Sequence, residues 1–159
     1  MRGVEAVVAL VRLLREHPDS CRWTRGLGPA DLARAERELD AAFPPSYRYF
    51  LAELGSCEAD GMDFPGIYRT AAMGDALLGT VGATLDARTD ERFPRELLVI
   101  QYDGMGGLVS LDTAWRDADG EHPVVVWDPG SAVRGGPERL ADDFGSYALR
   151  QCSRALHLG

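Results

Sequence analysis

The chain has 159 residues, 45 % of them hydrophobic and 26 % charged, which suits one folded domain and excludes a disordered chain. Its formal charge of -8 argues against direct binding to nucleic acid, where clustered cations contact phosphates, and points to a basic partner. All seventeen basic side chains are arginine, and neither Lys nor Asn occurs, a bias of high-GC coding seen in many bacteria.

Val4, Val7, Val8, Val11 and Leu14 recur at the spacing that lines one face of a helix, which Pro18 ends. Glu5 and Glu16 dilute the positive charge of this segment, so it reads as a helix packed on a core rather than one lying on a membrane. No run is long and apolar enough for an export signal or a span, so a cytoplasmic protein is expected. A second helix is predicted from Gly28-Pro29, with Leu32, Ala35, Leu39 and Ala42 as its apolar stripe, because proline is tolerated at the first helical position. Pro44-Pro45 breaks it, and Pro45 can open a third helix that buries Tyr47, Phe50, Leu51 and Leu54 before Gly55.

From residue 56 to 96, frequent glycines interrupt any long period. A strand is expected near Phe64 to Arg69, and a short helix or extended turn over Leu77 to Asp86. Runs rich in β-branched residues then predict three strands, Leu97 to Tyr102, Leu108 to Leu111 and Val124 to Trp127, joined as an antiparallel meander. A final helix is expected to open near Pro137 and carry Leu140, Ala141, Phe144, Tyr147 and Ala148.

Few residues suggest chemistry. Gly104-Met105-Gly106-Gly107 leads toward a strand rather than a helix, so it reads as a tight turn and not a phosphate loop. His17, His122 and His157 lack zinc spacing, and Asp117, Asp119 and Glu121 lack the glutamate that closes a calcium loop, so no metal is expected. Cys21, Cys57 and Cys152 are too few and too scattered for a disulfide framework and read as reduced thiols. No nucleophile motif is present, and the chain is not expected to be an enzyme or to need a cofactor.

Three stretches together resemble the SUKH superfamily, which includes cell-wall regulators of the Smi/Knr type and bacterial immunity proteins. They are the helix from Leu32 leading into Phe43-Pro44-Pro45-Ser46-Tyr47-Arg48-Tyr49-Phe50-Leu51; the strand Leu97 to Tyr102 running through Asp103 into Gly104-Met105-Gly106-Gly107, with Leu111-Asp112 after it; and Pro123-Val124-Val125-Val126-Trp127-Asp128, with Leu140-Ala141-Asp142-Asp143-Phe144 beyond. The resemblance covers about Leu32 to Leu149. Asp143 stands where the family commonly has Ser, and Gly107 where an Asp often follows the glycine.

The resemblance implies an α+β fold in one domain over residues 1–159, with helices around a twisted, mostly antiparallel sheet. It further implies a protein-interaction role without catalytic residues, and in bacteria immunity against a polymorphic toxin, often a nuclease. The alternative within the family is a regulatory scaffold with no toxin partner. Physical reasoning adds a candidate contact surface: Asp103, Asp117, Asp119, Glu121 and Asp128 lie in polar connections beside the strands and could steer a basic protein electrostatically.

Overall fold

The computed structural model describes residues 1–158. Apolar side chains at three-four spacing fix the helices. In α1 (Gly3–Glu16) the buried face is Ala6, Val7, Leu10, Val11 and Leu14, while Val4 and Val8 stand partly exposed, so the face is rotated from the expected one. Helix α2 (Pro29–Leu39) buries Leu32, Ala35 and Leu39 and stops earlier than Pro44, where Asp40 takes a left-handed conformation with φ 53°. Ala42 therefore falls outside it and is exposed, and Phe43 enters the core instead. Helix α3 (Pro45–Glu53) buries Tyr47, Phe50 and Leu51, with Leu54 just beyond, as the spacing predicts.

Helix α4 spans Thr80–Ala87, inside the stretch expected to hold a short helix. Helix α5 (Phe144–Ala155) starts later than Pro137 because Asp143 caps it, accepting a hydrogen bond from the Ser146 N–H at 2.8 Å. Ser and Asp are both strong N-caps, so the departure from the family's Ser keeps the local structure. Gly145 lets α5 lie against α1, since a Cβ there would overlap the Gly3 carbonyl oxygen.

Nine strands, all in antiparallel pairs, form three sheets among the described residues. The first joins β1 (Cys21–Trp23), β2 (Cys57–Ala59) and β3 (Met62–Phe64) in that order. The second is a ribbon of β4 (Ile67–Tyr68) and β5 (Leu78–Gly79). The strand expected over Phe64 to Arg69 is thus cut in two, because Gly66 turns the chain with φ +55° after Pro65.

The third sheet is the expected meander, β6 (Leu97–Tyr102), β7 (Leu108–Asp112), β8 (Val124–Trp127) and a fourth strand, β9 (Glu138–Ala141). Its two faces are both apolar. Leu98, Ile100, Val109, Leu111 and Val124 join the main core with α1, α3 and α5, while Leu97, Val99, Val125 and Trp127 form a second cluster with Phe93, covered by Ala83 and Ala87 of α4. In the main core Phe144 sits edge-on to Tyr47 and Phe50, with ring centroids 4.9 and 5.1 Å away. The α+β architecture with antiparallel sheets is the one the sequence implies.

Candidate partner-binding surface

The five carboxylates expected to make one acidic surface are divided between two ends of the meander. Tyr102, Leu108 and Trp127 lie side by side, which puts Asp103 and Asp128 at one end. Asp117, Asp119 and Glu121 belong to the β7–β8 connection at the other end, where Leu98, Leu111 and Val124 align. The length of β7 separates the groups by about 17 Å.

Most of these acids build the loops that carry them. Asp103 accepts hydrogen bonds from the N–H groups of Met105 and Gly107 at 2.7 and 2.8 Å, closing the glycine-rich turn between β6 and β7. Asp117 accepts from the N–H groups of Asp119 and Glu121 and pairs with Arg2; the Glu121 N–H foremost holds its carboxyl below the usual range. Asp128 accepts from the Gly130 N–H at 2.7 Å and pairs with Arg134. Asp119 stays exposed.

Glu121 is not a surface residue at all. It is 2 % exposed, and its carboxylate accepts the Ser46 N–H at 2.9 Å and the Ser46 hydroxyl at 2.7 Å. Helix α3 begins with Pro44 and Pro45 and has no side-chain cap of its own, so Glu121 satisfies its first free N–H from 75 residues away. Asp143 does the same for two helices, accepting the Gly3 N–H of α1 and the Ser146 N–H of α5, both at 2.8 Å. Three helix N-termini thus converge on two buried carboxylates. Burial raises the Glu121 carboxyl above its ordinary value despite the Ser46 bonds.

A different polar arrangement lies on the three-stranded sheet, where register places Arg22, Glu58 and Asp63 in one exposed row. Glu58 and Asp63 are direct cross-strand neighbours of like charge, a destabilising pair. Among the described residues neither forms an ion pair, Arg22 included. Burial, then the Glu58 charge, push the Asp63 carboxyl up.

Asp63 opens onto a cleft of about 540 Å³ between the end of β6 and the β4–β5 ribbon, with Tyr68, Ala83, Gln101 and Tyr102 among its lining. A neighbouring hollow of about 590 Å³, reaching Gly26, Asp31 and Arg69, shares Thr24 and Tyr68 with it. Beside them main chain packs on main chain, with Gly79 lining the first hollow and Gly26 the second. A Cβ on Gly26, Gly55, Gly66 or Gly79 would overlap, respectively, the carbonyl of Ala52, Arg25, Gly55 or Gly66. The Ile67 N–H donates to the Gly55 carbonyl at 3.0 Å and the Thr80 N–H to that of Gly66 at 2.8 Å, locking these segments together. At the rim Tyr102 is 58 % exposed, and Met105 in the adjoining turn is 88 % exposed. Val133, on the β8–β9 connection at the same end of the meander, is 92 % exposed.

Other polar groups expected or found near this region are engaged by the fold. Gln101 donates to the Asp63 carbonyl at 3.0 Å and accepts from the Tyr147 hydroxyl at 2.8 Å. The Tyr47 hydroxyl meets that of Thr80 at 2.6 Å. Cys21, Cys57 and Cys152 are free and buried; the hydrogen bond with Cys152, then burial, hold the Cys57 thiol well above its ordinary range.

Sequence reasoning missed Glu58 and Asp63 because it looked for acids in long connections. The signal was present: Asp60-Gly61, flanked by Cys57-Glu58-Ala59 and Met62-Asp63-Phe64, is a two-residue hairpin between alternating strands, and both turn residues have positive φ, 44° and 89°.

Among known proteins, no curated protein matches this chain. The family model described as SMI1-KNR4 cell-wall, of the SUKH type, matches residues 29–147, from the start of α2 into α5, and covers the meander and the cleft lining named above except Thr24. The chain belongs to the SUKH, SMI1-KNR4 cell-wall family.

Proposed function

We propose that the chain is a protein-binding module without bond-making chemistry of its own, acting in the cytoplasm as an immunity protein that occupies the surface of a basic toxin domain. Family membership supports an immunity or Smi/Knr-type module. The observation that carries the reading is the Glu58–Asp63 pair at the cleft. Acids set against each other, without a structural partner, cost stability and so point to a use in recognition. A nuclease toxin, basic in order to hold phosphates, matches the net charge of -8, and complementary charge speeds encounter.

The test is co-expression with each secreted-toxin domain encoded beside the chain's gene. Restored growth and a purified complex whose association slows with salt are expected; failure to protect against every one removes the immunity reading. The cell-wall description of the matched family favours a second reading, a regulatory scaffold of the Smi/Knr type. Such a chain gives no protection and instead binds a basic protein of the host cell.

A further inference from the structure

The cleft beside β6 has a chemistry of its own. Among the described residues that line it, Asp63 is the one charged side chain, so nothing there would hold an anion. Its threonine and serine hydroxyls are already engaged. Thr24 donates to the Leu54 carbonyl at 3.2 Å, Ser56 to Thr24 at 3.0 Å, and Thr80 is bonded to Tyr47. What remains open is a carboxylate, two tyrosine side chains and an apolar wall that includes Leu78, Ala83 and Val99.

Resting on the protein-binding reading above, we propose that this cleft receives an arginine side chain of the partner protein, its guanidinium on Asp63 and its planar face against Tyr68 or Tyr102. The row Arg22, Glu58, Asp63 reads plus, minus, minus across β1, β2 and β3. A cation beyond Asp63 flanks the two carboxylates with a positive charge on each side and relieves the repulsion between them. Arginine fits better than lysine because its planar fork can bind a carboxylate with two N–H groups while stacking on an aromatic ring. Tyr102, 58 % exposed at the cleft mouth, supplies an otherwise uncovered ring. Gly79 and Thr80 of the cleft lining are fixed before any partner arrives, by close packing on the Gly66 carbonyl and a hydrogen bond to it, which lowers the ordering cost of binding.

The experiment titrates the full chain, followed by amide NMR at low salt, with acetyl-Gly-Arg-Gly-amide. Counterparts carry Lys or the neutral isostere citrulline in place of Arg. The arginine peptide is expected to shift the signals of Asp63, Tyr68 and Tyr102, the lysine peptide to bind more weakly and citrulline to shift nothing there. Asp63→Asn is expected to weaken the arginine peptide about tenfold, whereas Asp119→Asn at the far end of the meander leaves it unchanged. Equal binding of the lysine peptide, unchanged binding by Asp63→Asn, or shifts centred on the β7–β8 connection overturns the assignment. Co-expression separates this from the functional reading. Toxin protection that survives Asp63→Asn overturns the cleft and leaves immunity standing, while peptide binding without protection does the reverse.

Discussion

Two acidic regions of the molecule treat their charges in opposite ways. At the meeting point of α1, α3 and α5, Glu121 and Asp143 are almost fully buried, yet each accepts helix N–H groups that have no other partner. On the three-stranded sheet, Glu58 and Asp63 are exposed, face each other and gain nothing from the fold. Burial of a carboxylate therefore marks structure in this protein, whereas the unrelieved surface pair does nothing for the fold. Net charge alone distinguishes neither.

The contrast can be broken most severely beside the cleft, at the Gly66 turn between β3 and β4. Gly66→Ala puts a side chain into the Gly55 carbonyl at a backbone φ of +55° and is expected to cost about 3 kcal/mol or more, measured by urea unfolding. Next in size is Glu121→Ala, which strands the buried N–H and hydroxyl of Ser46; a loss of about 2 kcal/mol by the same measurement is expected.

Glu121→Gln sharpens the comparison through pH. The folded carboxyl binds its proton more tightly than the unfolded one, whose value is 4.5, so its contribution is fully present below that value and is lost as pH rises through the raised one. The wild-type chain should lose stability across this window, and the variant should lose less; parallel curves for the two would contradict the buried-carboxylate account.

Asp63→Asn acts in the other direction. Removing one of two facing like charges is expected to leave the unfolding midpoint unchanged or raise stability by a few tenths of a kcal/mol, while weakening the partner complex. A destabilised variant would mean that Asp63 serves the fold after all. The smallest effect belongs to Asp119→Asn, whose exposed side chain accepts no hydrogen bond among the described residues; both the midpoint and the affinity should stay where they are.

The sequence made some elements legible and hid others for physical reasons. Strands β6 and β8 are continuous apolar runs because both faces of the meander are covered, and their bounds match the expected ones. Strand β9 has no such run. It is an edge strand bearing Glu138 and Arg139, and Leu140 and Ala141 sit three or four residues before Phe144, which made them read as the start of α5. Strands β1 to β5 are two or three residues long, too short for any period to show. Helix α3 was plain because its bulky residues recur on one side, whereas in α1 seven valines and leucines fit two overlapping faces and packing against α5 and α3 chose between them.

The candidate site was less legible than the fold. Charge and family resemblance pointed to a basic protein partner, but placing acids in loops assumed that loop acids are free. Asp103, Asp117 and Asp128 are held by backbone N–H groups of their own turns, and Glu121 is held by a helix distant in sequence. The residues that remain unpartnered depend on register across β2 and β3, which only the paired strands reveal.

The glycine-to-carbonyl stacking of Gly26, Gly55, Gly66 and Gly79 ties together separate stretches of chain beside the cleft, of which Gly79 reaches its lining. Because this stacking involves peptide groups, side chains on the rim of the cleft such as Tyr68 and Tyr102 can be exchanged without disturbing it. A scaffold of this kind can vary the face it presents at the cleft through a few surface substitutions, at little risk to folding.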